Sequence, residues 1–428
     1  MKIMASASQR SSFEIFQIIK NGKVVDISGN GPSATKATTF DYYESILSPN
    51  VTAILTVADT ASSVIYDPKY DRQERLGTLS SALPLTGDVD VKFKIATKYG
   101  TLNFLNTPLI FDKEIIPNQE SNREGIVLNL FSGYSKATQL PIKTKYTGNI
   151  TNSVRRLLKD YLKVPEEKIF TSPCRNSMSF HGCNESLYKV LCEKVAPKTV
   201  PVRGNPGYFF YETQDGFNFR AIDDLIAQEP TATASYYKNE VVKANLDNDA
   251  NDFKILTKTD IKRDDIITSI KSGLYVSHNI FWNPLTFEYV EKTFRLDGLE
   301  FSLGKGDIDI PNLESYVRTH FHILDVGSQD PGISYEVNNS PEEWSAKSTM
   351  RYNSLFSQII QITVPCNVSL RAGNVINCDF EIITQENKSE GSIDETQSGK
   401  YLIANLCHHF DALRSYTSMT LVRDSYGR

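Results

Sequence analysis

Apolar and polar side chains alternate over several stretches near both ends of the chain, and this pattern predicts β-strands. The clearest run covers residues 88–95, where four apolar residues alternate with aspartate and lysine. Over residues 51–57, Val51, Ala53, Leu55 and Val57 would share one face and Thr52 and Thr56 the other. Residues 358–428 contain three more strand-like runs between turn-forming residues. A period of two is typical of strands with one buried face. Over about residues 10–145 the short strands follow one another at the spacing of a barrel or a sandwich.

Local signals predict two hairpins and two helices. Asn21–Gly22 lies between apolar runs, and residues 214–216 lie between aromatic-rich runs, so each segment predicts a hairpin turn. Asn152 is expected to cap a helix that carries an apolar stripe and ends before Pro165. A second helix is expected to begin at Asn184. This change of period in the middle of the chain predicts a small α/β insertion.

Composition limits the classes of protein that the chain can belong to. Its 428 residues are 40% hydrophobic and 23% charged, which is ordinary for a globular protein of two to four domains. The formal net charge of -5 shows no clustered basic excess and so gives no support for a nucleic-acid-binding surface. No apolar run reaches the roughly 18 residues of a membrane span, and no signal peptide is expected. Six scattered cysteines predict free thiols in a reducing compartment.

Four metal-capable residues lie close together in the sequence: Cys174, His181, Cys183 and Cys192. A structural zinc site needs four ligands around one ion. If Asn184 begins a helix, Cys192 lies about 12 Å along its axis, at about 1.5 Å per residue. No C-x₂-C pair occurs among these residues. We therefore predict ordinary thiols here, with a metal site as the alternative.

Histidines form two further pairs. His320 and His322 would share one face of a strand and could bind a metal together, but no third ligand is evident nearby. His408 and His409 are adjacent, so on a strand they face opposite sides and cannot bind one ion without distortion. We expect both pairs to be structural.

Two acidic segments suggest ligand chemistry, but neither has a complete pattern. Residues 247–258 begin like a calcium loop, yet Asp252 stands where glycine is needed and Lys258 where a bidentate glutamate is needed. Asp307 and Asp309 could share a strand face, although surface charge at a hairpin explains them better. The motifs of phosphate loops, dinucleotide-binding loops and nucleophile elbows are missing. We predict no catalytic residues, no cofactor and no metal.

Five segments of the chain agree in order and spacing with one known family. They are P-C-N-V-S-L-R-A-G-N-V-I at 365–376, G-K-Y-L-I-A-N-L-C-H-H-F-D at 399–411, Y-T-S-M-T-L-V-R-D-S at 416–425, Y-Y-E-S-I-L-S-P-N-V-T-A-I-L-T-V-A-D-T at 42–60, and Y-F-F-Y-E-T-Q-D-G-F-N-F-R-A-I-D-D-L-I at 208–226. The first three resemble the C-terminal barrel of baseplate central hub proteins from contractile-tailed phages, both T-even-like phages and cyanophages. The fourth is similar to strands of the first barrel of that family, and the fifth to its hairpin and short helix.

The resemblance implies a mainly β protein with α/β insertions, of the α+β class, with two tube-forming β-barrel domains. The first barrel is expected over residues 1–145 and a small α/β insertion over 146–205. The second barrel is expected from 206–230 and 351–428, with an inserted mixed α/β domain over 231–350.

The resemblance also implies a function. The chain would be a structural virion protein, a homotrimeric baseplate hub that adapts a sixfold tail tube to a threefold central spike. Its other partners would be baseplate wedge proteins, and DNA would pass through its ring without sequence-specific binding. It would be assembled in the host cytoplasm and act in the virion tail. The alternative is a tail-associated cell-wall hydrolase or metal-dependent enzyme that uses the Cys174 group or His320 and His322.

Overall fold

The computed structural model describes residues 11–425, with gaps at residues 61, 87, 121–122, 233, 239–249, 264–265, 297–299, 305–317, 327–337, 339, 383–392 and 412. Strands form most of the regular structure in these residues, and short helices cluster in the middle of the chain. The predicted mainly β, α+β class is therefore confirmed.

The N-terminal β region extends to residue 138. Its elements are β1 (Ser12–Lys20), β2 (Lys23–Asp26), β3 (Lys36–Ser45), β4 (Thr52–Asp59), β5 (Ser63–Asp67), β6 (Arg72–Leu76), α1 (Leu79–Ala82), β7 (Asp90–Thr97), β8 (Gly100–Asn103), β9 (Leu109–Glu120), β10 (Arg123–Ser132) and α2 (Ser135–Thr138). The predicted hairpin turn is present, because Asn21 and Gly22 have φ values of 49° and 80° between β1 and β2. Positive φ at both positions is what such a turn requires.

The middle of the chain contains small sheets and helices. Its elements up to residue 226 are β11 (Lys145–Tyr146), α3 (Ile150–Leu162), β12 (Ile169–Thr171), β13 (Phe180–His181), α4 (Leu187–Lys189), β14 (Tyr208–Thr213), β15 (Gly216–Ala221) and α5 (Ile222–Ile226). A π-helical turn over Val190–Val195 and 3₁₀ turns over Glu166–Lys168 and Ala196–Lys198 accompany them.

The rest of the chain completes a second β region. Its elements are β16 (Tyr236–Lys238), a 3₁₀ turn (Ala250–Phe253), β17 (Thr257–Arg263), α6 (Ile266–Ser272), β18 (Val276–Trp282), β19 (Tyr289–Arg295), β20 (Arg318–Ile323), α7 (Pro341–Leu355), β21 (Gln358–Pro365), β22 (Val375–Phe380), β23 (Gly399–Asp411) and β24 (Ser415–Arg423). The C-terminal strands predicted from alternation are therefore present.

One sixteen-stranded sheet passes through both β regions. Its strand order is β17-β21-β24-β23-β3-β4-β10-β9-β7-β1-β2-β5-β6, with β22 and β16 branching from β23 and β8 branching from β7. The two regions meet where β3 pairs with β23 in antiparallel register, from Ser45 opposite Asn405 to Thr39 opposite Asp411. We call this pairing the seam.

The described strands do not close into two complete barrels, which differs from the expected pair of closed barrels. The reason is that β3 and β23 pair with each other along one edge at the seam, so neither edge is available to close its own region. Each region nevertheless curls back on itself. Ala37 N donates to Ile27 O at 2.9 Å in the first region, and an isolated bridge joins Tyr237 to Lys254 in the second.

Each β region encloses an apolar core on one face of the sheet. The four alternating residues that the sequence places inside, from Val51 just before β4 to Val57 within it, are buried there. The N-terminal core also contains Cys366, Val368 and Phe410 from the far end of the chain. Phe410 stacks on Phe40 with ring centroids 6.2 Å apart. The two regions therefore share apolar packing as well as backbone pairing.

Helix α3 packs the α/β insertion. Its apolar stripe, including Val154, Leu157 and Leu158, is buried as the sequence predicts. The capping residue is Asn149 rather than Asn152, since Asn149 Oδ1 accepts from Asn152 N at 3.3 Å. The second predicted helix begins after Ser186, not at Asn184. Asn184 instead has a positive φ of 65°, which belongs to a turn.

The hairpin β14–β15 joins the insertion to the large sheet. It pairs with β12 in a separate three-stranded sheet. Tyr208 and Phe210 face the core of the insertion, whereas the alternate residues Phe209 and Tyr211 pack against residues of the second β region. Because both of its faces are buried in this way, β14 packs the insertion against the second β region.

A third small sheet, ordered β19-β18-β20, lies beside α7.

The helices in the described ranges all lack the length and apolar character that a membrane crossing requires. The expected domain boundaries stay predictions.

Candidate functional site

The Cys174 group does not converge in the structure. Cys174 is buried, and its Sγ accepts from Thr151 N at 3.3 Å. His181 Nδ1 accepts from Cys183 N at 2.9 Å, and Cys192 Sγ contacts Phe210 O at 3.7 Å. Within the described residues no group of three or more possible ligands is positioned to hold a metal ion.

His320 and His322 lie on one face of β20, as predicted, with ring centroids 6.1 Å apart. His322 Nε2 lies 2.9 Å from Asn279 Oδ1, a hydrogen bond that fits a neutral ring. Burial lowers the pKa of both histidines. One cavity beside them measures about 20 Å³, so it has room for about one water molecule. A second cavity, of about 280 Å³, is lined by His322 together with Asp325 and Trp344.

His408 and His409 face opposite sides of β23, as the sequence predicts. His408 is fully buried, its Nδ1 lies 2.9 Å from Thr417 Oγ1, and burial lowers its pKa to about 3. His409 lies on the other face, with Nδ1 2.5 Å from Asp41 Oδ1 and its ring stacked on Tyr416. Both histidines thus pack within the large sheet, one on each face of β23.

The two acidic segments fall partly outside the described residues. Asp307 and Asp309 lie outside them, as do residues 247–249 of the calcium-like segment. Asp252 is described, and its Oδ2 accepts from Lys98 Nζ at 2.5 Å and from Tyr99 Oη at 2.8 Å. This aspartate therefore pairs with the turn between β7 and β8.

The structure places buried charges at two junctions instead. The first, which we call the hairpin junction, lies at the tip of β14–β15. Glu212 on β14 accepts from Ser132 Oγ at 2.7 Å, from Asn50 Nδ2 at 3.0 Å and from Val51 N at 3.3 Å. The donors all come from the N-terminal β region. The carboxylate thus anchors the insertion hairpin to the first core.

Glu44 on β3 completes the hairpin junction. Its carboxylate accepts from Gln214 N at 2.8 Å and from Ala372 N at 3.0 Å. Arg371 adds a charge partner, with Nε 3.9 Å from Glu44 Oε1 and 3.1 Å from Asp215 Oδ2. One residue of the first β region therefore binds both the hairpin tip and a loop of the second region.

Burial sets the electrostatics of this junction. It raises the pKa of Glu212 to about 7 and raises the pKa of Glu44 above its ordinary value. Glu44 has Arg371 beside it, which opposes the rise. Hydrogen bonds from Asn50, Ser132 and Val51 oppose it at Glu212. Desolvation prevails at both carboxyls.

The second junction centres on Arg351 of α7, which is 1% exposed. Arg351 Nε lies 2.6 Å from Asp223 Oδ1 on α5, and Nη1 lies 2.9 Å from Asp424 Oδ2 after β24. Asp223 Oδ2 also accepts from Asn205 N at 2.6 Å. One guanidinium thereby ties three distant segments together, and we call this set the arginine junction.

Sequence inspection missed both junctions. Glu44 and Glu212 are 168 residues apart, and Arg351 and Asp223 are 128 apart, so no local spacing connects them. Gly373 is one local signal that could have pointed to the first junction. It has a φ of 84°, and a Cβ there would collide with the Tyr211 hydroxyl. In chemical terms the two junctions hold distant segments of the chain together.

Comparison with known proteins gives matches at the level of fold. No family model and no curated protein matches the sequence. The crystal structure of the tail protein from Neisseria meningitidis MC58 matches with a TM-score of 0.51 and 8% identity, covering 96% of each chain. The 43 kDa tail protein of prophage MuSo2 from Shewanella oneidensis matches with a TM-score of 0.52 and 8% identity, covering 96% of this chain and 98% of that one. The chain therefore has the fold of these two tail proteins.

Proposed function

We propose that the chain is a structural component of a phage tail, a trimeric hub between a sixfold tail tube and a threefold spike. The observation that carries this proposal is the sheet that runs through two β regions joined at the seam. Three such chains around an axis present six β regions. A ring of this kind can contact a sixfold neighbour on one side and a threefold neighbour on the other.

Rigid coupling of the two β regions supports the proposal. A symmetry adapter must keep its six β regions in fixed positions, which flexible linkers would not do. The seam, the shared packing of Phe410 and the buried carboxylate of Glu44 all connect the regions directly. The shared fold with phage tail proteins fits the same role.

The partners follow from this role. The tail tube and the central spike would contact the two ends of the ring, and baseplate wedge proteins would contact the parts inserted within residues 146–205 and 231–350. The chain would be assembled in the host cytoplasm and reside in the virion. No observation favours the alternative of a metal-dependent cell-wall hydrolase, because the described cysteines and histidines form no group of three or more possible metal ligands.

The oligomeric mass of the purified full-length chain tests the proposal. Light scattering coupled to size exclusion should give three times the chain mass of 48.1 kDa over a range of concentrations. A monomer at every concentration, or release of soluble fragments from peptidoglycan by the purified chain, would overturn the proposal.

A further inference from the structure

A cavity of about 150 Å³ lies between the three-stranded sheet of the insertion and the loop that precedes β22. Strand register builds its floor, because Phe170 and Tyr211 both lie opposite Asn218, one on each side of β15. Arg220 follows Asn218 by two residues and so lies on the same face of the sheet. Residues 371–374 of the second β region also line the cavity. We call it the β15 cavity, and it has room for about five water molecules or one small ligand.

Arg220 brings a positive charge to the β15 cavity, and no carboxylate among the described residues pairs with it. Its Nη1 donates to Gln228 Oε1 at 3.2 Å, and Gln228 Nε2 in turn donates to Gly373 O at 3.0 Å. The neutral amide of Gln228 thus holds the guanidinium in place without offsetting its charge. Arg220 is also half-buried, so water reaches only part of it. A guanidinium with free N–H groups is suited to bind a carboxylate or a phosphate.

Arg371 adds a second positive charge, but most of its donors are already used. Its Nε donates to Asp215 Oδ2 at 3.1 Å, its Nη2 donates to Gln214 Oε1 at 3.0 Å, and its Nη1 donates to two carbonyls of its own loop. Glu44 Oε1 lies 3.9 Å from the same Nε. Asp215 is the acidic residue among the described lining residues, and its side chain is 56% exposed. Because Asp215 pairs with Arg371, the charge of Arg220 stays uncompensated.

Tyr211 supplies a buried hydrogen-bond donor to the same cavity. The residue is 1% exposed, and its Oη has no hydrogen-bond partner among the residues that the structure describes. Burial raises the pKa of Tyr211, so its hydroxyl stays protonated at neutral pH. A buried hydroxyl without an acceptor is costly. Asn374 Oδ1 accepts from Arg371 N at 2.8 Å, which leaves Asn374 Nδ2 as a further donor.

We infer that the β15 cavity binds a small oxyanion, a carboxylate or a phosphate group. Arg220 provides the charge partner, and Tyr211 Oη and Asn374 Nδ2 donate to the oxygens of the anion. Such a ligand supplies the acceptors that these donors lack, and it fits the volume of the cavity. Because Arg220 belongs to the insertion and Asn374 to the second β region, the bound anion strengthens the attachment between them. The site does not depend on the proposed ring, since one chain supplies all of these groups.

Anion titrations of the purified full-length chain test the inference. Calorimetry gives the affinities for inorganic phosphate and for acetate, with chloride at matched ionic strength as the reference, and thermal unfolding gives the effect on stability. Arg220→Met removes the charge, Arg220→Lys keeps it, and Tyr211→Phe removes only a hydroxyl. Arg203→Met is the matched control, because Arg203 is an exposed arginine of the same insertion.

The parent and Arg203→Met should bind at least one probe with the same affinity and unfold at a higher temperature when it is bound. The Kd should rise at least about tenfold in Arg220→Met and about fivefold in Tyr211→Phe, since each loses hydrogen bonds to a charged group. Arg220→Lys should recover part of the loss. Binding of acetate alone would identify a carboxylate as the ligand, and binding of phosphate alone would identify a phosphate group.

Two results would overturn the inference. The first is a parent chain that binds neither probe. The second is an unchanged affinity in both Arg220→Met and Tyr211→Phe, or in Tyr211→Phe alone where Arg220→Met does not fold. Either result would leave the proposed hub intact, because that proposal is tested by the oligomeric mass.

Discussion

Buried charged residues lie where distant segments of this chain meet. Glu212 anchors the insertion hairpin to the N-terminal core, Glu44 binds the hairpin tip and a C-terminal loop, and Arg351 ties α7 to α5 and the end of β24. A buried charge is costly unless it is hydrogen-bonded or paired. The ionisation of these side chains is therefore linked to the packing of whole segments.

Glu212 should make the stability of the protein depend on pH. Burial raises its pKa in the folded chain to about 7, against an ordinary value of 4.5. The stabilising contribution of the protonated form is complete below about pH 4.5 and is lost as the pH rises to about 7. At about 1.4 kcal/mol per pKa unit, the difference amounts to about 3 kcal/mol.

The variant Glu212→Gln removes this titration while it keeps the shape of the side chain. Because other carboxyls also titrate, the informative quantity is the difference between variant and parent. Relative to the parent, the variant should gain stability between pH 5 and pH 8. Urea unfolding midpoints across that range measure the gain. Parallel pH profiles for the two proteins would show that the ionisation of Glu212 is not linked to folding.

Asn149 should matter more than Asn152 for helix α3. Asn149 Oδ1 accepts from the Asn152 backbone, and its Nδ2 donates to Cys174 O at 2.9 Å. Asn149→Ala should cost about 1 kcal/mol or more, as lost caps do. Asn152→Ala removes only an exposed side chain and serves as the control. Chemical unfolding of both variants gives the comparison, and equal midpoints would contradict the assigned cap.

Single-residue predictions from the sequence succeeded where backbone geometry alone decides. His408 and His409 are adjacent on a strand, so opposite faces follow without knowledge of the fold. The predicted cap of α3 is wrong by three residues. Asn149 and Asn152 are equally good capping residues in the sequence, and only the folded structure shows which one accepts the hydrogen bond. Glu44 and Glu212 could not be found at all, since their partners are set by tertiary packing.

At the scale of elements, the arginine junction is expected to hold α7 in place. Arg351→Met leaves the carboxylates of Asp223 and Asp424 buried without their cation. Breaking a buried pair in this way costs about 3–5 kcal/mol. We expect a large fall in the urea midpoint of Arg351→Met.

Arg155→Met is a matched control on another helix. Arg155 pairs with Glu166 at 3.0 Å, but both side chains are substantially exposed. An exposed pair contributes about 0–1 kcal/mol, so this control should barely change the midpoint. The triple variant Arg351→Met/Asp223→Asn/Asp424→Asn should recover part of the loss. Similar urea midpoints for Arg351→Met and Arg155→Met would show that the arginine junction does not stabilise the fold.

Strands were predictable from alternation, but their pairing and irregularities were not. On a regular strand with a period of two, Leu402, Ala404 and Leu406 would lie on one side of β23. The structure has a register shift between Ile403 and Asn405, so Leu402 and Leu406 enter different cores. No residue near this bulge, such as a glycine or proline, marks its position in the sequence. The seam between β3 and β23 was equally hidden, because nothing in either strand specifies a partner more than 300 residues away.

At the scale of the whole molecule, the chain should not depend on metal ions. Among the residues that the structure describes, no three or more possible ligands come together to hold a metal ion. Dialysis against a chelator should therefore leave the thermal midpoint unchanged. A midpoint that falls with loss of bound zinc would contradict this expectation. His320→Ala/His322→Ala would then show whether that pair holds the metal.

The architecture as a whole combines two β regions in one continuous sheet with insertions attached through buried polar junctions. The mainly β class could be predicted from the sequence because strands make up both ends of the chain. The joining of the two β regions into one sheet could not, because it depends on long-range pairing. That joining is also the feature on which the proposed ring depends.

Electron microscopy of the purified full-length chain tests the central claim most directly. Class averages should show a ring with threefold symmetry, an open centre and six similar lobes in its wall, because each chain contributes two β regions. Compact particles without a central opening, or a ring of any other symmetry, would contradict the claim that this chain is a trimeric hub.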